Sequence, residues 1–431
     1  VDRTAIAMVI DPLRKELGVT DVQISLILGL AFSGAYSLCA LVMGWAVDRA
    51  PRRWVMFGAM ALWGLAEAAC GMATGFGALF AARAMVGAGE SGMAPSAHSM
   101  ISDAFPRKTL VKALSIYSMG LELGIGFSLI IGGAAVTFLT ERGGLVLPIL
   151  GLTAPWRLLF IFTGLPTIVL ALAIFLFPEP ARGPRRAAGA TGQPAMTAVT
   201  FLRRNWQLWL TFFGAFGVMN IFNGAMLFWQ PVYIARNFHW RAADYGLALG
   251  LTSVVAGAAG MLFAGWAVQT MLARGCRDAP LRYYFFALLI STPMIIGAFL
   301  SDNIWVYLTL ISLAKFASFV GFAVAAVQLT TPNEIRGRMS ALFTNVLLSL
   351  VGTVVGPVVP AAITQYWLHD DAKIGLGLAA TLGICAPIAM GMCLWGSKHF
   401  RRAIDDAESQ EAQPAASAET AAGLRPAPQA T

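Results

Sequence analysis

Apolar residues run along this chain in blocks of twenty to thirty, separated by short polar turns, and that pattern sets the whole reading. Residues 1–11 read as the second half of a first apolar block ended by Asp11-Pro12, and Thr20-Asp21 reads as the cap of a second block over about 22–46. Further blocks follow at about 54–73, 76–106, 110–139 and 156–177. Residues 178–206 then break the pattern with Pro, Gly and Arg. Six more blocks cover about 207–235, 243–272, 282–301, 303–331, 337–366 and 374–397. Each is long enough to cross a bilayer as a helix, at about 1.5 Å of rise per residue. The pattern therefore predicts an all-α membrane protein of twelve spans. Residues 1–178 form one six-helix bundle, 179–206 a linker, 207–398 a second bundle, and 399–431 a disordered Ala/Pro/Gln/Glu-rich tail. The chain starts at Val1 inside an apolar segment, so the first span is expected to lack its beginning.

Composition agrees. Of 431 residues 58% are hydrophobic and 12% charged, with a mean hydropathy of +0.69, a balance that needs lipid as solvent. The net charge of +8 does not point to nucleic acid, because the basic residues sit in short loops rather than on one face. Even-numbered loops carry Arg52, Arg53, Lys112, Arg186, Arg274, Arg336 and Arg338, whereas odd loops are mixed or acidic, as at His369-Asp370-Asp371. The positive-inside rule then places both ends of the intact chain in the cytoplasm of an inner or plasma membrane. The five cysteines lack metal-ligand spacing and read as small core residues. Neither a phosphate-binding GxxxxGK[ST] nor a nucleophile elbow is present, which argues against an ATP-driven pump and a hydrolase; no enzyme, cofactor or metal is expected.

The two halves repeat. Leu26–Asp48 aligns without gaps on Leu247–Gln269, with Gly44-Trp45-Ala46-Val47 meeting Gly265-Trp266-Ala267-Val268 at equivalent span ends. At a similar offset Pro106, Lys112 and Gly126 meet Pro332, Arg338 and Gly352. Two six-helix halves related by an axis along the membrane normal are the architecture expected of major facilitator transporters.

Charges inside the spans carry the candidate chemistry. Arg83 and Glu90 lie near the middle of the fourth span, seven residues or about 10 Å apart on one helix face. A charge at that depth costs about 2.5–3.5 kcal/mol even on the lenient scale, so it faces a watery cavity or a partner. Asp2 and Arg3 sit roughly 14 Å below the end of the first span, also mid-membrane. A carboxylate there suits proton exchange, since burial penalises its charged form. Arg83 keeps its charge and must find a carboxylate or an anionic substrate. A triad in which Arg83 pairs with Asp2 or Glu90 according to protonation would couple protons to conformation. Glu122, Asn220, Asn223 and Lys315 are further cavity candidates; Glu67, nearer a span end, carries a weaker case. The glycines of the fifth span (Gly120, Gly124, Gly126, Gly132 and Gly133) read as close helix packing, and Gly356-Pro357 as a kink.

Gly44-x-x-x-Asp48-Arg49-x-x-Arg52-Arg53 resembles the loop motif between the second and third spans of the major facilitator superfamily, with Pro51 where that family usually has Gly. The resemblance implies a cytoplasmic gate in which the Asp contacts the start of an opposing helix. Such helix starts favour a carboxylate by about 0.3–1 kcal/mol. A closer resemblance, over essentially the whole chain, is to its spinster-like branch. It rests on RAMVGAGESGMAPSAHSMISDAFP, on Asp2-Arg3 and on Glu179-Pro180-Ala181-Arg182-Gly183, with Leu110 departing from the family's Arg. It implies proton-linked alternating-access transport of a lipid-like or amphiphilic organic anion by a monomer, with the substrate, protons and membrane lipids as partners. Two alternatives stand beside it. One is a small organic-anion or drug exporter of the same fold; the other is a receptor or scaffold without transport, which would not need Asp2, Arg83 and Glu90.

Overall fold

A computed structural model describes residues 6–105, 107–147, 151–181, 198–317 and 350–423, with 326, 327, 330, 331, 339, 342 and 343. Asp2, Arg3 and most of the interdomain linker lie outside the described residues.

After a 3₁₀ turn at Ile6–Met8, α1 (Ile10–Leu17) holds Asp11-Pro12 in its first turn. The dipeptide therefore begins a helix, where the sequence suggested that it ends one. A first-turn proline loses no intrahelical bond, because that N–H has no partner in any case. α1 ends at Gly18 in the left-handed conformation. The second span is α2, built from Asp21–Leu26, a π stretch Ile27–Gly34 and Ala35–Arg49. Its start is fixed as expected. The Gln23 N–H donates to Thr20 Oγ1 at 3.2 Å, and the Thr20 N–H donates to Gln23 Oε1 at 2.9 Å.

The third span is α3 (Arg52–Cys70). The fourth is not continuous. α4 (Phe76–Glu90) stops, Ser91 and Gly92 turn, and α5 (Met93–Ala104) resumes. Pro95 lacks an N–H, and the hydroxyls of Ser91 and Ser96 donate to the Ala88 and Gly92 carbonyls at 2.7 Å each, so the break is satisfied locally. α6 (Arg107–Glu141) leads through the hairpin β1 (Leu145–Leu147) and β2 (Gly151–Thr153) into α7 (Pro155–Leu172).

In the second half, α8 (Ala198–Arg204) precedes α9, made of Trp206–Phe212, a π stretch Phe213–Gly217 and Val218–Phe238. α10 repeats that form as Ala242–Thr252, Ser253–Gly257 and Ala258–Ala273. α11 (Ala279–Phe299), α12 (Ile304–Ala317), α13 (Gly352–Ala362, continued by a π stretch Ile363–Leu368) and α14 (Ile374–Gly423) complete it. The tail expected to be disordered from 399 instead prolongs α14 to Gly423. Its many Ala and Glu residues favour a helix. Among the described residues, seven helical stretches are long and apolar enough to cross a membrane. The broken fourth span and the incompletely described tenth and eleventh account for part of the difference from twelve.

The helices pack as two groups: α3 on α4 and α7 in the first, and α9 on α13 with α11 on α12 and α14 in the second. The groups meet along two seams, α6 against α10 and α2 against α13. At the first seam, a Cβ on Gly133 would stand 2.2 Å from the Ala242 carbonyl oxygen, so only glycine fits there. Gly126 also packs on α10, whereas Gly120 and Gly124 face open space. The packing reading thus holds for part of that glycine run. At the second seam the Pro357 carbonyl accepts from Ser25 Oγ of α2 at 2.9 Å and from Trp229 Nε1 of α9 at 2.8 Å. Nearby, Ser33 and Thr353 hydroxyls lie 2.5 Å apart.

Candidate functional site

α3 and α4 run antiparallel around a tight turn. A Cβ on Gly89 would lie 2.6 Å from the Trp63 nitrogen, so the two backbones touch. This hairpin sets Glu67 against Arg83. Arg83 Nη1 donates to Glu67 Oε2 at 3.0 Å, with side chains 1% and 2% exposed, and the guanidinium lies 5.6 Å from the centre of the Phe32 ring on α2. Among the described residues Arg83 is thus ion-paired to Glu67, the acid the sequence ranked lowest. Of the two acids expected to exchange at Arg83, Asp2 lies outside the described residues, and Glu90 is half-buried at the last position of α4, beside the break. It lies within electrostatic reach of Tyr117 on α6, whose ring meets that of exposed His98 on α5 edge-on at 5.1 Å. His98 and Tyr117 escaped sequence reasoning, because an aromatic or a histidine in an apolar span carries no period of its own.

The other cavity candidates scatter. Lys315 donates to Ser253 Oγ at 2.8 Å, bridging α12 to the π stretch of α10. Asn220 lies at the α9–α13 contact, where a Cβ on Gly352 would meet its amide nitrogen at 2.1 Å, while Asn223 is exposed. Glu122 lies in α6, its side chain outside the described residues.

One end of the molecule gathers the loop motif. Arg52 is 1% exposed and ion-paired to both Asp103 and Glu179. It also donates to Ser99 Oγ at 3.1 Å and to the Pro180 carbonyl at 2.6 Å. Arg53 donates to the Phe177 carbonyl at 2.6 Å and sits over the Phe175 ring. These partners belong to the first half and, for Glu179 and Pro180, to the start of the linker that follows it. Burial opposes ionisation of Glu179, but hydrogen bonds from the Arg52 backbone and side chain outweigh it and hold the carboxyl below its ordinary range. Arg49 is exposed over the Trp45 ring, and open space surrounds Gly44. The side chain of Asp48 lies outside the described residues.

At the opposite end sits a charge cluster that the sequence did not announce. Arg236, near the end of α9, donates to Asp11 at 2.6 Å, to Asp21 at 3.0 Å and to the Asp371 carbonyl at 2.9 Å. Arg14 pairs with Asp21 at 3.2 Å and with Asp371. The bonds of Arg236 to Asp11 and Asp21, and of Arg14 to Asp371, join the first half to the second. Beside them a crevice of about 250 Å³ opens between the halves, lined by Met8, Val136, Thr137, Val232, Trp240 and Tyr245 among others. The chain is thus two helical groups tied by ions and glycine contacts at one end, with a buried ion pair inside the first.

The family model described as Major Facilitator Superfamily matches residues 1–357. The chain belongs to the major facilitator superfamily. Within that superfamily its relatives include Protein spinster of Drosophila melanogaster, 25% identical over 85% of this chain and 59% of that longer protein. An MFS-type efflux pump of Mycolicibacterium smegmatis is 24% identical over 94% of this chain and 90% of its own length. A D-galactonate transporter of Escherichia coli is 24% identical over 90% and 91%. Among solved structures, a bacterial homologue of the human lysosomal transporter spinster, inward-facing and unoccupied, superimposes with a TM-score of 0.78. That match has 22% identity and covers 93% of this chain and 94% of the other. A D-xylose-proton symporter gives 0.62 at 15% identity, covering 90% and 93%. The spinster-like resemblance and the fold expected from the repeat stand, and the chain is an integral multi-pass membrane protein.

Proposed function

We propose that this superfamily member is a proton-coupled secondary transporter of a lipid-like or amphiphilic organic anion, working by alternating access. The observation that carries the reading is the Arg83 guanidinium, buried inside the first half of a chain whose halves are bonded across the Arg236 end. A permanent charge there is expensive unless it is paired or a pathway uses it, and pairing to a second buried charge leaves both available to a pathway. Arg83 serves as the anion-binding or coupling residue, and Glu90 and Asp2 exchange protons, with Arg3 and Glu122 as further candidates for the cavity. The half-buried position of Glu90 at a helix break supports its role, since an opening there admits water. The Arg52 end, with its basic loops, faces the cytoplasm together with both termini. Gly44, Asp48, Arg49, Arg52 and Arg53 form the gate at that end, which closes when the Arg236 end opens. The working unit is a monomer of two bundles, 1–178 and 207–398, joined in the chain by residues 179–206.

A second reading, export of a small organic anion or drug, is favoured by the likeness to the efflux pump and the D-galactonate transporter, which spans nearly the whole chain. Both readings are separated by uptake into proteoliposomes, with and without a pH gradient, of lysophospholipids, sugar acids and cationic drugs. Gradient-driven movement of an anionic amphiphile is expected. It should lose its gradient dependence in Glu90→Gln, a mimic of the protonated acid. Movement of sugar acids or drugs alone would establish the second reading, and no movement of any would leave the fold without transport.

A further inference from the structure

Arg83 is not open to a ligand in this arrangement. Its guanidinium is 1% exposed, bonded to Glu67 at 3.0 Å and covered by the Phe32 ring. Glu67 is anchored from behind: α3 and α7 touch at Gly64 and Gly164, and a Cβ on Gly164 would stand 3.2 Å from Glu67 Cβ. The carboxylate therefore sits between α3, α4 and α7, in the wall of the first half. With Glu67 bonded at Nη1, an approaching anion must displace a carboxylate before it can take that face of the guanidinium. We propose that Glu67 is a positioning and selectivity residue that competes with the transported molecule for Arg83. This inference rests on the reading of Arg83 as the anion-binding residue.

The chemistry of the competitor defines the class of ligand. A neutral hydroxyl or amide cannot replace a carboxylate at a guanidinium, because charge-assisted bonds are roughly twice as strong as neutral ones. A phosphate or carboxylate head can, since it brings the same charge and the same planar or tripod set of acceptors. Glu67 thus sets a threshold. Strong anions draw the guanidinium away from it, and uncharged amphiphiles of the same shape leave the pair closed. Selection against neutral lipids then comes from an internal rival rather than from a clash.

Binding to the purified full chain in nanodiscs tests this with two probes of equal chain length, dodecyl phosphate and dodecanol. Glu67→Gln removes the rival charge while keeping the side-chain shape. It should bind dodecyl phosphate about tenfold more tightly than wild type, with dodecanol affinity unchanged. Adding Arg83→Gln to that variant should remove the gain. Should the Gln variant fail to fold, Glu67→Asp, whose shorter arm loosens the pair, should give a smaller gain in the same direction. Equal phosphate affinity in wild type and variant overturns the competition while leaving Arg83 as an anion site. A gain for dodecanol as well, or one that survives Arg83→Gln, overturns it too. If neither wild type nor variant prefers the phosphate to dodecanol, the organic-anion reading itself falls, and the competition with it.

Discussion

The two ends of the molecule use the same bond for different purposes. At the Arg52 end, an arginine buried to 1% exposure holds Asp103 of the first half and Glu179 at the start of the linker, with no partner from the second half among them. At the other end Arg236 belongs to the second half, while its carboxylates Asp11 and Asp21 belong to the first. One cluster stiffens a bundle; the other fastens two bundles together. Counting ion pairs would rate the ends alike. Which chain segments a pair joins decides whether it resists unfolding or resists opening.

The comparison is broken most severely at Arg236. Asp21 is 0% exposed at its side chain and would keep Arg14 at 3.2 Å, so the loss stays below the roughly 3–5 kcal/mol of a fully orphaned buried charge. In Arg236→Ala, spin-label distances across the α1–α9 end should lengthen and shift toward the open population, while distances across the Arg52 end shorten. Unchanged distributions would show that the glycine seam of α6 and α10 suffices as a latch.

A smaller effect, of a different kind, is expected at Arg52. Arg52→Gln strips a charged partner from two acids whose side chains are 24% and 25% exposed, and hydrogen bonds to charged groups are worth about 1.5–3 kcal/mol. Thermal unfolding should fall, with distances between the halves at the Arg236 end unchanged. Glu179 adds a pH signature. Its carboxyl is held below the ordinary value of 4.5, so its contribution is complete above that value and is lost as pH falls through the lowered one. Wild type should therefore lose stability on acidification below about pH 4.5, and the Gln variant should show a flatter profile. Identical profiles would mean that Arg52 does not hold Glu179 in solution.

The smallest effect belongs to a pair that also crosses between halves. Arg241 and Glu141 lie 3.2 Å apart but are 65% and 61% exposed, so solvent screens them. Glu141→Gln should leave the distance distributions where they are, at low and high salt. A clear opening would mean that the latch depends on crossing charge alone, whatever its burial.

How much of this was legible follows from how far a signal reaches along the chain. Apolar blocks, the Thr20 cap and the GWAV repeat are local, and they yielded the fold. The break at Ser91-Gly92 was less visible, since Ser and Gly are ordinary in a membrane helix. The Arg236 cluster draws on residues 11, 14, 21, 236 and 371, and no spacing rule links them. Glu67 is a different case, because its pairing could have been read. Glu67 and Arg83 each lie eight residues from Gly75, and positions equidistant from a tight helical turn stand level. Distance from the span end was the wrong measure, since depth matters less than what lies opposite.

Trp45 and Trp266, one in each copy of the repeated GWAV segment, are 59% and 63% exposed. Indoles on a lipid-facing surface prefer the boundary between headgroups and acyl chains. Each bundle therefore carries a float mark at the same level. Sliding one bundle past the other along the membrane normal would pull an indole out of that boundary. Tilting about an axis in the membrane plane leaves both marks at the waterline, so the two indoles resist a sliding of the bundles and do not resist a tilt.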